Sequence, residues 1–221
     1  MQRHFIIITL TILISIIASG QTKNKNCNCP KNEHAGTTPD TTFKLSNGKE
    51  IVLCGFKNPE SKPINYSEFV LAVCGQSKII EFWDATVTCY LKVKKDTLFV
   101  EDLVNLPTGK NRACKETIWA TDKIFFKGET PIKIYAVNKK IPKYTRLEIM
   151  RTLKEYEISN RELSDNKMEL ANRLFVATIS GDKKARKYFK EFRTKFGALD
   201  GAFSEEYSDL AAMLVQWDRQ K

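Results

Sequence analysis

Apolar and polar residues alternate with a period of two along the first part of the chain. Thr42-Phe43-Lys44-Leu45 alternates, Asn47-Gly48 supplies the positive φ angles of a tight turn, and Ile51-Val52-Leu53-Cys54 follows. This is a β-hairpin signature. Further strands are expected over Phe69–Cys74, Lys78–Trp83, Thr86–Val93, Thr97–Val104, Thr117–Phe126 and Ile132–Val137, with turns such as Lys94-Lys95-Asp96 and Pro107-Thr108-Gly109 between them. Parallel pairing would require long crossover helices, and the pattern has none before residue 143, so an antiparallel sandwich or curved meander is expected.

After Pro142 the period changes to about 3.6 and four helical segments can be drawn. Thr145 with Glu148, and Ser159 with Glu162, have the spacing of capping boxes, while Gly181 and Gly197 read as helix stops. Ala185, Phe189, Phe192 and Phe196 form one apolar stripe; Tyr207, Leu210, Ala211, Leu214 and Trp217 form another. Short loops make successive helices antiparallel neighbours, so the expected class is α+β: a β-rich region over 41–141, then a bundle of about four helices over 142–221.

The start of the chain carries an address. Gln2, Arg3 and His4 are polar, Phe5–Ile17 is an apolar run of 13 residues, and Ala18-Ser19-Gly20 places small side chains where a signal peptidase cuts. As a helix the run spans about 20 Å against a hydrocarbon core of roughly 30 Å, so a cleaved signal peptide over 1–20 is expected, with cleavage before Gln21 and a periplasmic or secreted product. No stretch of eighteen apolar residues is present, so no membrane span is expected after cleavage. Residues 21–40 are polar and aperiodic and read as a flexible leader.

Six cysteines follow the signal: Cys27, Cys29, Cys54, Cys74, Cys89 and Cys114. An even count in an oxidising compartment points to disulfides. The last four sit in or beside expected strands, which favours Cys54 with Cys74 and Cys89 with Cys114; buried free thiols are the alternative. Cys27, Cys29 and His34 also offer two thiols and an imidazole within eight residues to a soft metal, although the spacing matches no zinc pattern.

Composition narrows the chemistry. The chain has 221 residues, a formal charge of +10, and two histidines, of which His4 leaves with the signal. Catalysis by Ser-His-Asp or Cys-His has little to work with. Glu81 and Asp84 flank Phe82-Trp83, but residues three apart on a strand face opposite sides; Glu101-Asp102 and Glu205-Glu206 are adjacent pairs whose side chains diverge. No phosphate loop is present, and Pro107–Asn111 reads as a turn. No cofactor is expected. Lys183, Lys184, Arg186, Lys187, Lys190 and Arg193 gather on one helix as a patch for an anionic partner, an acidic protein or an anionic envelope polymer. An exported protein seldom meets nucleic acid, so none is expected. The function expected is that of a non-catalytic exported binding protein of the cell envelope. The alternatives are a His-independent, carboxylate-dependent hydrolase of cell-surface glycans, and an inhibitor or immunity-type partner of another exported protein.

Overall fold

The computed structural model describes residues 27–31, 36–160 and 167–220. The expected signal peptide over 1–20, His34 and the Glu162 half of the second capping box lie outside the described residues.

Eight strands follow one another in the first part of the chain: β1 Thr41–Lys44, β2 Glu50–Asn58, β3 Asn65–Val73, β4 Ile79–Trp83, β5 Thr88–Lys94, β6 Thr97–Leu106, β7 Lys115–Lys127 and β8 Thr130–Val137. They make one antiparallel sheet in the order β1-β2-β3-β5-β6-β7-β8, with β4 also paired to β3. β3 is shared: its start, Asn65 and Tyr66, pairs with β5, and Phe69–Ala72 pairs with β4. The result is a curved meander. A bulge between Gly55 and Phe56 bends β2 against β3, and it needs glycine, because a Cβ on Gly55 would lie 2.3 Å from the Glu68 carbonyl oxygen.

The sheet rolls until distant strands meet. Lys133 of β8 pairs with Glu81 of β4, and Lys49 in the β1–β2 turn pairs with Glu129 beside β8 at 2.5 Å. The inner face packs Ile51, Leu53, Phe69, Leu71, Trp83, Leu91, Leu98, Val100 and Ile124. Residues alternating with these on β2 and β3, Val52, Cys54, Val70 and Ala72, form a small outer cluster.

Two disulfides cover that outer cluster, Cys27–Cys74 and Cys29–Cys54, while Cys89 and Cys114 are free. The expected Cys54–Cys74 and Cys89–Cys114 pairs are therefore corrected, and register explains why. Cys54 faces Val70, whereas Cys74 lies four residues further along β3, roughly 13 Å away and beyond the reach of a bridge. Likewise Cys89 faces Asp102, and Cys114 precedes Lys115, which faces Leu106, again four residues along β6. The stretch read as a flexible leader is thereby corrected in part: Cys27 and Cys29 are fixed to the sheet, and Cys29 N donates to Thr37 O at 2.9 Å.

Among the described residues five helices follow: α1 Arg146–Ile158, α2 Lys167–Ile179, α3 Lys183–Lys190, α4 Phe192–Phe196 and α5 Gly201–Arg219. The Thr145–Glu148 capping box forms in both directions. Gly181 and Gly197 take the left-handed φ values that stop helices, and the expected third helix breaks at Glu191 into α3 and α4. α2 is buried almost all round and is the axis of the helical layer. One continuous core joins the layers, since Leu106, Trp119 and Val137 of the sheet pack with Phe175 of α2 and Trp217 of α5. Trp119 lies 5.7 Å from Phe175 and 5.9 Å from Trp217, ring centre to ring centre. The β6–β7 connection locks the far side, where Arg112 donates two bonds to the Glu155 carboxylate of α1, at 2.9 and 2.6 Å.

Candidate functional site

The pleat places four chemically distinct side chains together at the helical end of the rolled sheet. Cys89 of β5 faces Asp102 of β6; Asp102 faces Ala120, and Val100 faces Asp122, so the two aspartates of β6 and β7 are diagonal neighbours on one face. Asp122 in turn faces Tyr135 of β8. These positions continue the inner rows Leu98-x-Val100-x-Asp102 and Ala120-x-Asp122-x-Ile124, so both carboxylates stand where the pattern otherwise puts apolar residues.

α5 closes over this end. Gln216 Oε1 accepts from Trp119 Nε1 at 3.0 Å and from the Tyr135 hydroxyl at 2.7 Å, and Gln220 accepts from the Val137 amide at 2.7 Å. Between sheet and helix lies a cleft of about 240 Å³. Thr86, Asp102, Tyr135, Asp209 and Gln216 are its polar residues, and Leu103, Val104, Trp119 and Met213 are among its apolar walls. With both donors spent on the Gln216 oxygen, its amide NH2 remains to donate to a ligand.

Burial controls the charges. It pushes the Asp102 carboxyl up to about 6, with the neighbouring Asp122 adding to the rise and the Cys89 hydrogen bond opposing it. Asp122 is raised by the same loss of water, partly offset by Lys133, and its buried Oδ1 has no hydrogen-bond partner among the described residues. The Tyr135 hydroxyl is pushed up to about 12, first by burial and then by Asp102. The Cys89 thiol, 3.5 Å from Asp102 Oδ1, is driven far above its ordinary range by burial and by the carboxylate. It stays protonated and is no nucleophile at neutral pH.

A raised carboxyl pKa means that the folded chain holds protons the unfolded chain has released. Stability therefore falls as pH rises through the window from the unfolded Asp value near 4 to the folded value of about 6, and levels off above it. Asp102→Asn should flatten this slope and stabilise the protein at pH 7.5 relative to the native chain, by at most about 2–3 kcal/mol for a shift of this size. Urea unfolding at pH 4.5, 6 and 7.5 measures it; an unchanged slope in the variant would show that Asp102 is not the titrating group.

The residues singled out in the sequence are placed elsewhere. Cys27 and Cys29 are spent in disulfides. Among the described residues, the one group with metal-ligand proximity, Cys27, Glu50 and Cys74, contains a bridge whose sulfurs are not thiolates while oxidised. Glu81 pairs with Lys133, and Asp84 accepts from Thr86, which holds its carboxyl below the usual range. Glu101 points to the opposite face and pairs with Lys92 at 2.6 Å.

Most of the anionic-partner patch is committed inside the molecule. Lys184 pairs with Glu157 at 2.6 Å, Arg186 with Asp218 through two bonds, and Lys187 with Glu191 at 3.9 Å. Arg193 donates to Ser204 and Ser208 and lies over the Tyr207 ring. Lys183 and Lys190 have no ion-pair partner among the described residues.

Asp122, Tyr135 and Gln216 were not singled out, and Asp102 was read only as one of an adjacent acid pair whose side chains diverge. The legible signal was an acid at an inward position of two expected strands; the meeting with α5 has no local signature. Among the described residues, no helix is long and apolar enough to cross a membrane. Compared with protein-family models, curated proteins and solved structures, the chain matches none of them.

Proposed function

We propose that this chain is an exported, disulfide-stapled binding protein that holds a small ligand in the cleft between β6–β8 and α5, after removal of residues 1–20. The observation that carries the reading is convergence: Asp102, Tyr135, Asp209 and Gln216 meet around one apolar-walled cavity at the junction of two layers, the usual composition of a small-molecule site. Export is supported by the N-terminal apolar run with its small residues and by two disulfides, which persist in oxidising compartments. In this reading recognition belongs to the cleft and not to the α3 cations, which are mostly paired.

The test is retention. Protein isolated from its native compartment, unfolded and analysed by mass spectrometry, should release a small molecule in stoichiometric amount. Ala212→Trp, at an exposed position of α5 lining the cleft, should release none while keeping its fold. Equal recovery from both proteins would place the molecule elsewhere, and recovery from neither would remove the reading.

One observation favours the carboxylate-dependent hydrolase as a second reading. Asp102, whose carboxyl is raised to about 6, lines the same cleft as Asp209, and an acid shifted toward neutrality beside a second carboxylate is the equipment of glycan hydrolysis. Glycan turnover by the native chain that disappears in Asp102→Asn would select it; no turnover leaves the binding reading.

A further inference from the structure

We infer that the ligand of the cleft is a small organic cation, an amine or guanidine on a short apolar body, held by Asp102 with its body against the Trp119 wall. This rests on the reading of the cleft as a ligand site and adds the ligand's chemical class. Four acids surround this end of the sheet: Glu81 on β4, Asp102 on β6, Asp122 on β7 and Asp209 on α5. The cation felt by both buried aspartates is Lys133, and it is already paired with Glu81. Such an excess of negative charge is not inherited from composition, since the chain as a whole carries +10.

The walls and the vacancy of the polar groups decide between ligand classes. Asp122, a diagonal neighbour of Asp102 that does not itself line the cleft, is almost fully buried, at 4% exposure, and its Oδ1 has no partner among the described residues, a cost that a cation beside Asp102 would reduce by lowering the field of both carboxylates. An anion would be repelled. A neutral apolar molecule would strip water from Asp102 and give nothing back. A bare metal ion needs three or more converging oxygen or sulfur atoms, and among the described residues that proximity occurs only at Cys27, Glu50 and Cys74. The cavity, about 240 Å³, is smaller than the roughly 300–1,000 Å³ of drug-sized sites, so the body is short.

Binding should therefore depend on pH. Around Asp102 stand Cys89 of β5, Asp122 of β7, Tyr135 of β8 and Lys133 of β8, Asp209 and Gln216 of α5 line the same cleft, and Glu81 acts on Asp122. Protonation of Asp102 as pH falls through about 6 removes the counter-charge, and affinity for the cation should fall with it.

Matched probes test the class. Hexyl and 2-phenylethyl bodies, each as the ammonium, the alcohol and the carboxylate, are titrated calorimetrically into the full mature protein at pH 7.5 and pH 5. The ammonium members should bind about ten- to hundredfold more tightly than the alcohols, the worth of one charge-assisted hydrogen bond, and the carboxylates should not bind. Asp102→Asn should reduce the ammonium to the level of the alcohol. If that variant fails to fold, Asp209→Asn at the exposed rim should still weaken the ammonium by a few-fold. Ammonium binding no tighter than that of the alcohols, or unchanged in the folded Asp102→Asn variant, overturns the inference. Tighter binding of an alcohol or carboxylate, blocked by Ala212→Trp, would overturn the cation and keep the cleft; no probe bound and no native molecule retained would remove both.

Discussion

Replacing Cys29 and Cys54 together by alanine should lower the unfolding free energy by about 3–4 kcal/mol. The bridge closes a loop with a sequence separation of 25, and the chain-entropy relation for a loop of that size gives about 3.5 kcal/mol. Removing Cys27–Cys74, with a separation of 47, should cost slightly more by the same relation, about 4 kcal/mol. Removing both should cost more than the two single losses combined, because the loops are nested and each bridge, while intact, already confines part of the loop that the other closes. Cys114→Ala, at an exposed free thiol, should stay within about 0.5 kcal/mol of the native chain. Urea unfolding under oxidising conditions measures all four. A loss in Cys114→Ala as large as in the bridge variants would contradict the pairing.

Phe175→Ala should be the most damaging single truncation, at about 3–5 kcal/mol. Phe175 is fully buried on the central helix and touches Trp119 of the sheet and Phe189 of α3, with ring centres 5.7 and 6.0 Å away. Its removal leaves a cavity at the seam between the two layers. Because that seam is one core, loss of strand and helix signals should remain coincident in the variant, at a lower urea midpoint. Two separated transitions would mean that the β-rich and helical regions fold independently.

Much of the architecture was legible because it is written in local periodicity. The eight strands follow from period-two runs with turn residues between them, and the helices follow from the Thr145–Glu148 capping box ahead of α1, the stop at Gly181 after α2, and the apolar stripes of the α3–α4 segment and of α5. What was hidden depends on register. The position of Cys74 four residues past the partner of Cys54 is invisible until β2 and β3 are aligned, and this is why the bridges go to Cys27 and Cys29 instead. The split of the third helix at Glu191 was hidden as well, since Phe189, Phe192 and Phe196 keep one stripe across the break.

The site shows the same division. Asp102 and Asp122 occupy inward places in their strands, and an acid in an apolar row is a readable anomaly. Reading Glu101-Asp102 as a diverging pair was right about direction, because Glu101 joins Lys92 on the other face, but it passed over the consequence for Asp102. The contributions of Tyr135 and Gln216 arise from residues 81 positions apart, a separation that no local pattern spans. Conversely, the basic run of α3 was conspicuous in sequence and is largely neutralised in the fold by Glu157, Asp218 and Glu191.

The central claim is that the cleft under α5 is occupied in the working protein, and the indole resonances test it most directly. Trp119 Nε1 donates to Gln216 at the wall of the cleft, whereas Trp83 lies in the inner core of the rolled sheet, stacked on Phe69. Nitrogen–proton spectra recorded on the protein as isolated, and again after its small molecules are stripped, should move the Trp119 indole signal and leave that of Trp83 in place. A Trp119 signal identical in the two spectra, with released ligand in hand, would contradict the account.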